Sequence, residues 1–166
     1  MKKSKLLLLI AIPLVVLATF GPATSVAAAT TKNFVAHLSG ENEVPAVDTL
    51  AQGQANFQLN KTGDEIRYKL IAANIEDILQ SHIHMAPAGV NGPVVVWLYP
   101  SAPPAELIPG RYSGVVAEGT ITADDLVGPL AGHPLSDLLD AMMNGNTYVN
   151  VHTIANPSGE IRGQIR

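Results

Sequence analysis

Alternation of apolar and polar side chains recurs along this chain and limits what it can fold into. Residues 52–59 read Gln-Gly-Gln-Ala-Asn-Phe-Gln-Leu, and residues 65–72 and 160–165 show a similar period of two. Successive side chains of a β-strand point to opposite faces, so this pattern gives one buried face and one wet face. The alternation predicts an antiparallel sheet, because the strands of a parallel sheet are usually buried on both faces.

The remaining segments extend this pattern to an all-β architecture. Residues 60–64 (Asn-Lys-Thr-Gly-Asp) predict a hairpin turn between two alternating runs, and the apolar residues 93–99 fit a central strand. Short strands separated by Gly/Pro turns predict an antiparallel Greek-key β-sandwich or barrel. About eight strands are predicted, at residues 34–38, 53–59, 66–72, 80–85, 93–99, 113–121, 147–153 and 161–165.

Two connections carry helical signals. Residues 122–125 (Thr-Ala-Asp-Asp) indicate a helix start with a capping hydroxyl and early acids, and a Gly-Pro pair ends it within a turn or two. Residues 136–144 predict a second short helix, with Ser136 as its N-cap and Gly145 in the left-handed position after its C-terminus. We therefore expect one or two short helices in the connections.

Composition excludes several classes of protein. The chain has no cysteine, which rules out disulfides, thiolate-bound zinc, iron–sulfur clusters and a thiol nucleophile. Ten Lys and Arg residues stand against fourteen Asp and Glu residues, for a formal charge of −4. This balance gives no electrostatic case for binding nucleic acid.

The N-terminus carries the three parts of a secretory signal. A basic start at Lys2, Lys3 and Lys5 precedes an apolar run and then an Ala-rich end. We predict a signal peptide at residues 1–29 and a single domain at 30–166, exported to the periplasm or the exterior without a stable membrane anchor. An uncleaved N-terminal anchor is the alternative. Cleavage leaves seven basic and fourteen acidic residues, a formal charge of −7.

Three of the five histidines are spaced for metal binding. His82 and His84 are two residues apart, so a strand presents both imidazoles on one face, with Ile83 toward the core. His152 lies on the outer face of a later strand. If these strands are neighbours, three imidazoles converge on one solvent-facing patch. Neutral imidazole is the commonest metal ligand, and three nitrogens with an open position suit copper or zinc. The predicted metal ligands are His82, His84 and His152.

A surface interpretation of these histidines stays open at this point. A His-x-His pair on an exposed strand is common without any metal, and we predict that His37 and His133 are ordinary surface residues. The turns at 88–93 and 156–160 follow the His-bearing strands, and we predict that they set strand register rather than contact a ligand. If the imidazoles converge, charge repulsion lowers each pKa below the ordinary value of about 6.5.

No pair of side chains predicts a catalytic mechanism. Ser81 and His82 are neighbours on one strand, so they point to opposite faces and do not form a nucleophile–base dyad. Glu160 and Arg162 share a strand face and are predicted to form a solvated ion pair. We therefore expect a non-catalytic protein.

Several separated motifs resemble the CHRD domain, the module named after chordin. They lie at residues 34–45, 82–84, 89–95, 148–153 and 156–165, so the resemblance covers nearly all of the chain after the predicted signal. It implies an exported all-β domain and no settled biochemical activity.

A looser resemblance is to copper–zinc superoxide dismutase, a Greek-key barrel with histidine-bearing strands. It implies copper, rather than zinc, at His82, His84 and His152. No histidine lies between His84 and His133, so the bridging ligand and the zinc loop have no counterpart. Three hypotheses stay open: a copper-binding module without catalysis, a redox-active copper protein, and a metal-free module that binds an extracellular protein or glycan.

Overall fold

The computed structural model describes residues 32–166, so the predicted signal peptide at 1–29 lies outside the described residues. Within residues 32–166 the chain forms seven strands, one α-helix and three short 3₁₀ helices. No helix in this part of the chain is long and apolar enough to cross a membrane. The strands are β1 (Asn33–Ser39), β2 (Gln52–Leu59), β3 (Ile66–Met85), β4 (Val94–Tyr99), β5 (Ile108–Ile121), β6 (Thr147–Thr153) and β7 (Ile161–Gln164). The α-helix, α1, is Leu135–Met143, and the 3₁₀ helices are Gly40–Asn42, Ala123–Asp125 and Gly128–Leu130.

All seven strands belong to one antiparallel sheet, which confirms the predicted all-β class. Its order is β2-β1-β7-β6-β3-β4, with β5 also paired to β3. The sheet closes into a barrel because the first half of β3 pairs with β2 and its second half pairs with β6. β3 is therefore the strand on which the barrel depends, and the His-bearing part of it lies beside β6.

Seven strands form where about eight were predicted, because two of the predicted segments are one strand. Residues 66–72 and 80–85 both belong to the 20-residue strand β3. Asn74 and Asp77 interrupt its pattern in left-handed conformations, with φ of 54° and 52°, and the register with β5 shifts there. Asn and Asp tolerate this conformation better than other non-glycine residues. The polar residues between the two predicted strands therefore mark bulges rather than a loop.

The helical predictions hold in outline. Thr122 and Asp125 form a capping box around the short helix Ala123–Asp125. The N-cap of α1 was predicted two positions too late: α1 begins at Leu135, and Pro134 rather than Ser136 occupies the N-cap. Proline is well suited to a helix start, because its φ is already helical and it has no N–H to satisfy. Gly145 has φ of 67°, as the C-terminal prediction requires.

The core lies inside the barrel and against α1. Ile83 of β3 and Val149 and Val151 of β6 are completely buried, and Leu138 and Met142 of α1 belong to the same cluster. Apolar residues at alternate positions of β3 and β6 therefore fix which face of each strand points inward. The histidines occupy the intervening positions, on the opposite face.

Candidate metal centre

The pairing of β3 with β6 brings the three predicted histidines together, which meets the condition on which the prediction depended. Asn150 lies opposite His82, and Tyr148 lies opposite His84. His152 is two residues beyond Asn150 on the same face of β6, diagonal to His82. The two strands are neighbours although His82 and His152 lie 70 positions apart in the sequence.

His82, His84 and His152 each offer one ring nitrogen, and these three nitrogens all lie within 4.8 Å of one another. His82 Nδ1 and His152 Nε2 are 3.1 Å apart. Two nitrogens bonded to one ion at the usual metal–imidazole length lie about 2.8–3.4 Å apart when they subtend 90–110° at it. The two rings are therefore as close as two ligands of one ion, although in the metal-free protein a hydrogen bond joins these two nitrogens.

Backbone carbonyls fix the orientation of two of the rings. His84 Nδ1 is 2.8 Å from the Gly92 carbonyl oxygen, and His152 Nδ1 is 2.9 Å from that of Pro157. A carbonyl oxygen only accepts hydrogen bonds, so each Nδ1 carries the proton and each Nε2 carries a lone pair. Metal-bound histidines characteristically donate their second N–H to such an acceptor.

These carbonyls come from the two turns that were predicted only to set register. Gly92 belongs to the turn at 88–93, and Pro157 belongs to the turn at 156–160. Neither turn supplies a ligand-type side chain to the three-histidine group. Each turn instead orients one imidazole, because a backbone carbonyl of the turn accepts the Nδ1–H of that ring. The sequence alone did not indicate these hydrogen bonds.

Two nitrogens of the cluster have no hydrogen-bond partner. Because His152 Nε2 is a lone pair, His82 Nδ1 donates to it, and His82 Nε2 is left as a second lone pair. His82 Nε2 and His84 Nε2 are both buried and unpartnered. Buried polar atoms are nearly always satisfied, so two such atoms in one cluster are unusual.

The predicted solvent-facing position of this patch was wrong. His82, His84 and His152 are only 3%, 9% and 6% exposed. Trp97 of β4 packs edge-on against His82, with ring centroids 4.3 Å apart, and Tyr148 stacks on His84 at 4.8 Å. These aromatic rings and the two turns cover the outer face of β3 and β6. The prediction failed because period-two alternation shows which face of a strand a side chain lies on, but not whether other segments cover that face.

All three imidazoles have pKa values below the ordinary one, in the predicted direction. Burial is the largest cause for each ring, ahead of the repulsion on which the prediction rested. Burial, with smaller contributions from His152 and His84, lowers the pKa of His82 to about 3. Burial lowers the pKa of His84 and of His152 although the Gly92 and Pro157 carbonyls act in the opposite direction. The rings are therefore neutral near pH 7, the form in which imidazole binds metal.

Glu160 and Arg162 do not form the predicted solvated pair. Arg162 is 1% exposed and Glu160 is 7% exposed. The Glu160 carboxylate accepts hydrogen bonds from Thr49 and Thr153, each at 2.7 Å. The guanidinium of Arg162 donates to the turn that follows β3. Loops cover this face of β7 too. Glu160 and Arg162 are therefore buried, although the alternation pattern predicted that they face solvent.

Sequence reasoning from the residues also missed Glu43. Its side chain is buried, and its Oε1 has no hydrogen-bond partner. Burial raises the pKa of the Glu43 carboxyl to about 7, although the positive charge of Arg162 acts to lower it. Glu43 lies within the first motif of the CHRD resemblance, which was the one available signal for it.

The other two histidines are surface residues, as predicted. His37 is exposed on β1. His133 is exposed as well, and its Nδ1 lies 2.8 Å from an Asp137 carboxylate oxygen. Neither belongs to the three-histidine group.

Fold and site together define an antiparallel β-barrel domain with a buried group of three neutral histidines on its outer face. The family model of the CHRD domain matches residues 34–165, so the chain belongs to the CHRD domain family. Neither a curated protein nor a solved structure matches the chain.

Proposed function

We propose that this chain is an exported domain that binds one copper ion through His82, His84 and His152. The observation that carries it is the pair of buried, unpartnered nitrogens on His82 and His84. The third nitrogen, His152 Nε2, accepts a hydrogen bond from His82 Nδ1 and becomes a ligand when that bond breaks. A buried polar atom without a partner costs about 1–3 kcal/mol. A cation bound by the His82 and His84 nitrogens removes that cost for both atoms.

The protonation state of the cluster supports a metal ligand set. Burial keeps the rings neutral, so a metal ion displaces few protons from them near pH 7. Gly92 and Pro157 hold Nδ1–H of two rings, which directs both Nε2 atoms to ligation. Two ligands of one ion lie at most about 4.2 Å apart, so the nitrogens that are up to 4.8 Å apart must move closer when the ion binds.

Copper is favoured over zinc by the donor set. Within residues 32–166, the three histidines are the group that combines at least three ligand-type side chains, and they include no thiolate and no carboxylate. Affinity for a set of nitrogen donors peaks at copper in the divalent first-row series. A structural zinc site would use a fourth protein ligand, which this group lacks.

Export is supported by two independent features. Residues 1–29 have the composition of a secretory signal, and CHRD domains are typically extracellular. An exported chain of formal charge −7 repels polyanions and stays soluble. We propose a module that binds copper without catalysing a reaction. A redox-active copper protein, and a protein- or glycan-binding module without metal, are the alternatives.

Titration of the purified chain with Cu(II) tests the metal site. The chain contains one tryptophan, Trp97, whose ring lies 4.3 Å from that of His82, so bound Cu(II) should quench its fluorescence at one equivalent. We expect hyperfine structure from three nitrogens in the electron paramagnetic resonance spectrum. His84→Gln and His152→Gln should each remove one nitrogen, whereas the exposed His37→Gln is the matched control and should change nothing.

The outcomes separate the hypotheses. Binding no tighter than that of the His84→Gln variant would leave the metal-free module, and saturation by Zn(II) but not Cu(II) would refute copper. Reversible reduction of the bound ion, followed by turnover of an added oxidant, would favour the redox-active alternative.

A further inference from the structure

Arg162 lies behind His84 in a stack of three flat groups. Its guanidinium carbon is 3.4 Å from the centroid of the Tyr148 ring. On the far side, the Tyr148 ring is nearly parallel to the His84 imidazole, with an interplanar angle of 7° and centroids 4.8 Å apart. The guanidinium therefore fixes the plane on which His84 rests.

The same guanidinium holds the turn that contacts His84. Arg162 donates from Nη1 to Asn91 Oδ1 at 3.0 Å, and from Nη2 to the carbonyl oxygens of Val90 at 2.7 Å and Pro87 at 3.4 Å. These three acceptors lie on the connection between β3 and β4. A planar group with several fixed donors can hold such a set, whereas a lysine ammonium cannot.

Gly92 joins the stack to the turn. Its carbonyl oxygen accepts the Nδ1–H of His84 at 2.8 Å, and its N–H donates to the Tyr148 hydroxyl at 3.2 Å. A Cβ at Gly92 would lie 2.1 Å from the Met85 carbonyl oxygen, so this close approach requires glycine. His84 is thus held through its face by Tyr148 and through its edge by Gly92. Arg162 contacts Tyr148 directly, and it holds the turn through Asn91, the residue before Gly92.

We infer that Arg162 is a positioning residue of the metal site, which sets the ring plane and the tautomer of His84 without touching the ion. This inference rests on the proposed copper function. Neither of the two ion pairs among residues 32–166 involves Arg162, so oxygen acceptors of the turn and the face of the Tyr148 ring stabilise its buried charge.

The first test uses the metal-free chain. Nitrogen-15 NMR of the imidazoles should give a single Nδ1–H tautomer for His84 in the wild type. In Arg162→Lys, His84 should show a mixture of tautomers, while His152 keeps its own tautomer. Arg67→Lys, at an exposed position of β3, is the matched control. An unchanged His84 tautomer in a folded Arg162→Lys variant would overturn the inference.

The second test is a double-mutant cycle for Cu(II) affinity. Arg162→Lys should weaken binding about 10–100-fold in the wild-type background, as expected for a group that supports a ligand. It should have almost no effect in a His84→Gln background, because the ring through which it acts is gone. Equal losses in both backgrounds would show a general structural role and overturn the inference.

Milder variants serve if Arg162→Lys does not fold. Tyr148→Phe keeps the stack and removes the hydroxyl that accepts the Gly92 N–H, and Asn91→Ala removes one acceptor of the guanidinium. Each should mix the His84 tautomers, and a single tautomer in both variants would refute the inference. If the wild type binds no copper, the copper proposal fails, and the NMR test still decides the role of Arg162.

Discussion

Acidification should destabilise the metal-free protein because three buried imidazoles stay neutral in the fold. An imidazole in the unfolded chain takes up a proton near its ordinary pKa of about 6.5. The folded-state pKa of each ring is lower, and that of His82 is about 3. Below pH 6.5 the unfolded chain therefore binds more protons than the folded one. The free energy of unfolding then falls as the pH falls, and for His82 this continues down to about pH 3.

Glu43 acts in the opposite direction. Its folded-state pKa is about 7, against an ordinary value of 4.5, so between these values the folded protein holds a proton that the unfolded chain lacks. Each bound proton of difference changes the free energy of unfolding by about 1.4 kcal/mol per pH unit. Between pH 6 and pH 5 the loss from His82 is about 1 kcal/mol and the gain from Glu43 is about as large, so these two groups nearly cancel. The lowered pKa values of His84 and His152 therefore make the net stability fall with the pH.

Urea denaturation between pH 5 and pH 7, with a chelator present and circular dichroism as the signal, measures this slope. The variant with glutamine at positions 82, 84 and 152 keeps Glu43, so its stability should instead rise as the pH falls through this range. His37→Gln removes an exposed imidazole and should leave the slope unchanged.

The reasoning would be refuted in either of two ways. A wild-type stability that is flat between pH 6 and pH 5 would mean that the rings are protonated in the folded protein. An unchanged slope in the triple variant would mean that other groups produce it.

Four further predictions concern packing, charge and metal. Ile83→Ala, at a completely buried position between the two histidines of β3, should lower the free energy of unfolding in urea by about 2–5 kcal/mol; a loss under 1 kcal/mol would contradict the packing. Glu43→Gln should stabilise the chain by about 1–3 kcal/mol at pH 8.5 and little at pH 5, because it removes the burden of ionising a buried carboxyl; equal effects at both pH values would argue against it. Gly163→Ala should destabilise by about 2–3 kcal/mol or prevent folding, because its Cβ would lie 2.3 Å from the His37 carbonyl oxygen. Cu(II) at a hundred times its dissociation constant should stabilise the wild type by about 2.7 kcal/mol in calorimetry, and this gain should be smaller in His84→Gln.

Much of the fold was predictable because local patterns report it directly. Alternation located the strands, and the hairpin between β2 and β3 was confirmed by the pairing of Leu59 with Ile66. The capping box at Thr122 and the left-handed Gly145 were also readable, since each depends on residues within one turn of chain. The division of β3 into two strands was wrong because polar residues at a bulge and in a loop look alike in sequence.

The histidine group was predictable for a similar reason. The spacing of His82 and His84 placed both rings on one face of a strand, and alternation in β6 placed His152 on the matching face. Their convergence needed one further fact, that β3 and β6 are neighbours, which the pairing of these strands supplies.

The sequence by itself determined the strand faces, and with them which side of the barrel carries the three imidazoles. Only the tertiary structure decided that they are buried, neutral and held in defined tautomers. Gly92, Pro157, Trp97 and Arg162 do this from other strands and turns. Side-chain alternation is a property of a single strand, whereas burial and hydrogen bonding depend on segments that meet only after the chain has folded.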